Sequence, residues 1–259
     1  MKKDLPIGFF DSGIGGLTVL YEALRMLPHE RYIYYADSDR APYGTRPKDE
    51  VRTLALHATD FIVDQGVKAL VIACNTATSA AIGDMRQRYK VPVIGMEPAV
   101  KPAVTHTGDP KRVLVFATEL TLKEAKFREL VARVDTRKQV DFLPLQELVL
   151  FAERFEFDEQ VILPYLKMKL QAVNLNEYST IVLGCTHFIY FKKIMEQVIP
   201  PDVRIIDGNR GTVLNLKNRL GECLNEGPGG ITYFLSDQPK PAAYFEKYLR
   251  LLEPVSAKT

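Results

Sequence analysis

One short pattern occurs twice in the 259 residues and limits the folds open to the chain. Leu70-Val71-Ile72-Ala73-Cys74-Asn75-Thr76 returns as Ile181-Val182-Leu183-Gly184-Cys185-Thr186-His187. Each copy is an apolar run, a cysteine and two hydrogen-bonding residues. The flanks repeat as well: Ile7–Gly13 corresponds to Val113–Thr118, and Val93–Pro98 to Ile205–Asn209. The intervals agree, with 63 residues from Asp11 to Cys74 against 67 from Thr118 to Cys185, then 23 from Cys74 to Glu97 against 22 from Cys185 to Asp207. Self-similarity at matched spacing reads as two copies of one substructure.

Within each copy, short β-branched and aromatic runs alternate with stretches of helical period, the mark of parallel strands joined by crossover helices. Strands are expected at Ile7–Phe10, Tyr32–Ala36, Ala69–Ala73, Val91–Gly95, Val113–Ala117, Val140–Leu143, Thr180–Gly184, Val203–Ile206 and Ile231–Leu235. Several are almost wholly apolar, as strands covered by helices on both faces must be. Leu17, Leu20, Tyr21, Leu24 and Leu27 form one helical stripe, and Val51, Leu54, Ala55, Ala58, Phe61 and Ile62 another, stopped by Gly66. Pro164 is expected to kink or delay the helix within Asp158–Val173. The fold expected is α/β: two similar lobes, each a mostly parallel sheet flanked by helices, with a site in the cleft between them. Residues 1–100 plus 208–259 would form the first lobe and 101–207 the second, with the boundary in Pro102–Pro110.

Composition narrows the function. A net charge of +2 offers no basic footprint for nucleic acid or an anionic membrane. No apolar run approaches the roughly 20 residues of a membrane span, and no signal-peptide core follows Met1. Three cysteines are too few for a disulfide framework, so a cytoplasmic location with free thiols is expected.

Open parallel sheets bind ligands at the carboxyl ends of their strands. There stand Asp11-Ser12-Gly13-Ile14-Gly15-Gly16, Pro42-Tyr43-Gly44, Cys74-Asn75-Thr76 and Cys185-Thr186-His187. If the lobes face each other, one thiol approaches from each side. Inverting a carbon centre requires a proton removed from one face and delivered to the other, and a thiolate opposed to a thiol does this in both directions. A helix N-terminus is expected to lower a cysteine pKa from about 8.5 toward neutrality. Asp11 and His187 are candidate proton partners. Ser12, Asn75, Thr76 and Thr186 are candidate ligands for a zwitterion with two carboxylates.

Plainer readings stand beside these. A cysteine ending a strand is often a small hydrophobe, and Cys223 is read as one, continuing the helical stripe Val213, Leu216, Leu220. Gly13, Gly15 and Gly16 do not fit a dinucleotide fingerprint, no phosphate-loop lysine follows, and a tight turn admitting a carboxylate is preferred. Asp11 alternatively caps a helix. Thr118 and Thr121 either start a helix or contact substrate. His29, His57 and His106 read as solvated, Lys101 and Lys111 as surface charges, and no metal site is expected because no second histidine accompanies His187.

Together the runs Gly8–Val19, Pro42-Tyr43-Gly44, Cys74–Thr78, Gly95-Met96-Glu97-Pro98 and Gly184–Phe188 resemble the motifs of the glutamate racemases, in the same order and approximate spacing. The resemblance covers about residues 7 to 210. It implies a cofactor-independent enzyme that interconverts L- and D-glutamate and supplies D-glutamate for peptidoglycan. It further implies that Cys74 takes the proton from D-glutamate and Cys185 from L-glutamate, with Asp11 assisting the first and His187 the second. Substrate contacts would fall on Asp11, Ser12, Tyr43, Gly44, Asn75, Thr76, Thr186 and His187. The chain departs from the family at Leu120 and at Ile189-Tyr190, and it matches loosely over Leu143–Glu153, where Glu153 is the candidate supporting acid. Alternatives are a racemase for aspartate or another acidic amino acid, a non-catalytic amino-acid-binding protein, and a thiol redox protein. A homodimer is a further expectation, carried by no stripe in the sequence.

Overall fold

A computed structural model describes residues 3–105 and 111–253. Two parallel sheets organise the chain. In the first, β1 (Ile7–Asp11) lies between β2 (Arg31–Ala36) and β3 (Ala69–Ile72), with Gly8 opposite both Ile33 and Leu70. Next to β3 is β4 (Val93–Gly95). The second contains β5 (Arg112–Ala117), β6 (Val140–Pro144), β7 (Tyr178–Leu183) and β8 (Arg204–Asp207), in the order β6-β5-β7-β8. The chain then returns to the first sheet. There β9 (Gly230–Leu235) runs parallel to β2, and the short β10 (Gln238–Pro239) turns back antiparallel on β9. The order is β10-β9-β2-β1-β3-β4.

All nine expected strands are present; β10, two residues long, left no periodicity to read. Every residue of β1, β3 and β7 is buried, which explains their continuous apolar sequence. One apolar cluster joins both sheets, from Phe9 and Val71 to Phe116 and Ile181. The helix Lys48–Asp64 buries Val51, Ala55, Ala58 and Ile62 and ends before Gly66, whose φ of +77° is the left-handed stop glycine supplies without strain. The helix Glu159–Leu170 starts at the Asp158 cap and runs through Pro164, so proline does not delay it. Cys223 is not on the helix Asn209–Leu220: Gly221 at φ +52° ends that helix, and Cys223 sits half-buried in the turn beyond. His106 and residues 106–110 of the expected boundary lie outside the described residues.

Candidate active site

Both sheets present their carboxyl ends to one small cavity. Ser12 follows β1, Cys74 follows β3, Thr118 follows β5 and Cys185 follows β7, and all four line it. Tyr43, Gly44, Asn75, Thr76, Val149, Thr186 and His187 complete the wall. The cavity is only about 10 Å³, roughly the room of one water. A larger open groove of about 930 Å³ lies at the opposite ends of the strands, near Arg31 and Gly230, and neither thiol borders it.

Cys74 is the N-cap of the helix Asn75–Arg88 and accepts a 3.4 Å hydrogen bond from the Ala77 N–H. Its own S–H donates to Ser12 Oγ at 3.4 Å. The Ala77 N–H, and the Ser12 hydroxyl when it turns to donate to sulfur, favour the thiolate, as the sequence suggests, but the net shift is the opposite. Burial, reinforced by the nearby Asp11 carboxylate, pushes the Cys74 thiol up to about 12. Asp11 is itself buried and pushed up to about 6 by loss of solvent, against the opposing pull of His187 and of the Gly13 N–H. It is not a helix cap, because the first helix is capped at Gly16. Its carboxylate accepts from the Gly13 N–H at 2.9 Å and from Thr186 Oγ1 at 3.2 Å, a contact from one repeat to the other.

Around Cys185 the surroundings differ. A short 3₁₀ turn, Thr186–Phe191, follows it instead of a long helix. His187 Nδ1 lies 3.7 Å from Cys185 Sγ, and His187 Nε2 lies 2.7 Å from Glu153 Oε1. Burial disfavours the imidazolium, but the Cys185 and Glu153 hydrogen bonds outweigh it and hold the His187 pKa well above the usual imidazole value. Glu153 ends the helix Glu147–Glu153 and is fixed by the Ile14 N–H at 2.7 Å and Ser38 Oγ at 2.9 Å. The glycine-rich turn therefore does admit a carboxylate, and that carboxylate belongs to the protein. A Cβ on Gly13 would fall 1.8 Å from Glu153 Oε1, and one on Gly15 2.4 Å from His187 Nδ1. Only glycine lets the second repeat's His187–Glu153 pair approach so closely.

Of the residues singled out in the sequence, Ser12, Tyr43, Gly44, Cys74, Asn75, Thr76, Thr118, Cys185, Thr186 and His187 line the cavity together. Asp11 and Thr121 stand one step behind it. Thr118 caps the helix Glu119–Lys123, and its hydroxyl also meets Thr76 at 3.0 Å and Thr121 at 2.8 Å, so capping and lining coexist. Val149 borders the cavity without any motif to announce it. Asp37, which accepts from the Tyr43 hydroxyl at 2.6 Å, was equally unmarked. The remaining histidines sit apart: His29 is exposed, and exposed His57 meets Asp237 at 3.1 Å. Lys101 is exposed and Lys111 pairs with Asp202. Among the described residues no cluster of three metal-ligating side chains occurs, and no helix is long and apolar enough to cross a membrane.

A family model described as Asp/Glu/hydantoin racemase matches residues 18–215. The chain belongs to this family. Among its racemase relatives, the glutamate racemase of Halothermothrix orenii is 53% identical over 255 residues, covering 97% of this chain and 100% of the relative. The glutamate racemase of Francisella tularensis, solved in complex with D-glutamate, superimposes with a TM-score of 0.82 at 26% identity, over 98% of this chain and 96% of that one. The Escherichia coli glutamate racemase, solved with L-glutamate and the activator UDP-MurNAc-ala, gives 0.82 at 28% identity over 95% of each chain.

Proposed function

We propose that this racemase interconverts L- and D-glutamate without a cofactor, with Cys74 and Cys185 as opposed base and acid. The observation that carries the reading is the meeting of two thiols, each at the end of the equivalent strand of its own sheet, at one cavity.

From D-glutamate, the Cys74 thiolate takes the α-proton while the electron pair stays on the substrate, conjugated with its carboxylate. The Cys185 thiol then delivers a proton to the opposite face. L-glutamate reverses the two roles. Asp11 holds or returns the proton on the Cys74 side, and His187 does so on the Cys185 side. Glu153 touches neither thiol; it positions His187 and favours its charged form. A thiol with a raised pKa is a stronger base once ionised, which suits a weakly acidic C–H bond.

Ser12, Tyr43, Gly44, Asn75, Thr76, Thr118, Thr186 and His187 surround the ammonium and the two carboxylates, with Asp11 behind Thr186 and Thr121 behind Thr76 and Thr118. Asn75 supports this: its amide is buried with neither polar atom partnered, which is costly unless a ligand satisfies it. Glutamate is far larger than the cavity, so the lobes part to admit it. We take those lobes to be residues 1–100 with 208–259, and 101–207. The D-glutamate feeds peptidoglycan in the cytoplasm, and the enzyme works as a homodimer.

Racemisation of L-glutamate and of L-aspartate, followed by circular dichroism with solvent deuterium incorporation, tests the reading. Turnover of glutamate that vanishes in both Cys74→Ala and Cys185→Ala is expected. Turnover of aspartate alone, or glutamate binding without α-hydrogen exchange, contradicts it.

A further inference from the structure

Tyr43 and Gly44 enter the cavity wall from a loop, and a loop that contacts substrate needs something rigid behind it. A chain of polar contacts leads from that loop away from the cavity to the surface. The Tyr43 hydroxyl donates to Asp37 Oδ2 at 2.6 Å, and Arg40 Nη1 donates to Asp37 Oδ1 at 2.6 Å. Asp37 is fully buried, so both of its oxygens depend on these two donors. Arg40 Nη2 reaches on to Asp237 Oδ2 at 3.4 Å. Asp237 Oδ1 accepts from the Tyr35 hydroxyl at 2.7 Å, and His57 Nε2 lies 3.1 Å from Asp237 Oδ2.

Asp237 sits at the tip of the β9–β10 hairpin, and with Ser236 it takes positive φ, 73° and 44°. Aspartate tolerates that region better than bulkier residues, so the turn aims its carboxylate inward at modest strain. A second tie runs beside the first: the Asp39 N–H donates to Ser236 Oγ at 3.1 Å. Arg46 closes the loop on itself, its Nε donating to the Arg40 carbonyl at 2.8 Å. The hairpin comes from the last fifth of the chain, more than 190 residues from the loop it holds.

We propose that Asp237 is a positioning residue for the Tyr43–Gly44 wall, acting through Arg40 and Asp37 and never touching the substrate. The C-terminal return to the first sheet thereby becomes part of the site. Because the loop binds substrate and moves no proton, losing the strut weakens binding more than chemistry. The inference rests on the glutamate reading for its substrate, and amide exchange supplies a readout that does not.

The test compares Asp237→Ala and Asp237→Asn with the parent enzyme in both assays. Asp237→Ala is expected to raise KM for D-glutamate about tenfold, with kcat within about twofold of the parent. Asp237→Asn keeps an acceptor for Tyr35 and loses the charge facing Arg40, so its KM falls between. Amide hydrogen exchange across residues 37–47 should quicken in Asp237→Ala. Unchanged KM and exchange in a folded Asp237→Ala, or a loss confined to kcat, overturns the proposal. Should Asp237→Ala not fold, an unchanged KM in Asp237→Asn overturns it equally. Quickened exchange in the variant, with no glutamate turnover in the parent, overturns the glutamate reading alone.

Discussion

The two thiols occupy equivalent places in the repeat, yet their surroundings are built from different parts. Cys74 caps a helix of 14 residues, bonds Ser12 and shares its neighbourhood with the Asp11 carboxylate. Cys185 precedes only a 3₁₀ turn and instead faces His187, whose far nitrogen is held by Glu153. The strand end duplicated the thiol and left its environment free to diverge. Burial and the Asp11 carboxylate favour the protonated form of Cys74, whereas the group beside Cys185 is a histidine whose own pKa is held well above the usual imidazole value.

Removing either thiol should break this comparison outright. Cys74→Ala and Cys185→Ala are each expected to lower kcat/KM on the order of 10⁴-fold, the upper range for a positioned acid or base, in steady-state assays from either enantiomer. Enantiomers have equal free energy, so kcat/KM must fall together in the two directions for any variant. Asymmetry shows instead in the primary isotope effect with α-deuterated substrate. His187→Asn should cost about 100-fold and enlarge that effect for L-glutamate more than for D-glutamate. An equal enlargement would refute a side-specific role.

Smaller effects sharpen the picture. Glu153→Gln keeps a hydrogen bond to His187 and removes the charge, for an expected loss of about tenfold. His187 would then lose its proton at lower pH, so the alkaline fall in activity should move down in a pH–rate profile. On the acid side, Asp11 is neutral below about 6 and charged above it, so kcat/KM should climb through that pH and the limb should vanish in Asp11→Asn. Least of all should the chemistry notice Lys68→Ala. That change breaks a buried ion pair with Glu30 at 2.7 Å and should lower unfolding free energy by about 3–5 kcal/mol in urea titrations, leaving the isotope effects untouched.

Periodicity made nine strands legible, and the repeated strand-end cysteines marked the two-thiol centre. What escaped was set by distance in the chain. Glu153 is a candidate in the sequence only through a loose family match, but its contact with the Ile14 amide, 139 residues away, is not readable there. Val149 and Asp237 carry no motif at all. Gly13 and Gly15 were visible as a turn, but the groups that demand their missing side chains come from the other repeat. The Cys74 shift was misjudged for a related reason. A helix N-terminus is local and readable, while complete burial is a property of the assembled lobes.

A crystal structure of the enzyme with D-glutamate bound is the most direct check on the central claim. The α-carbon should lie between the two sulfurs, with Cys74 Sγ and Cys185 Sγ on opposite faces and each about 3.5 Å away. Both sulfurs on one face of that carbon, or a ligand held out of reach of either, would contradict it.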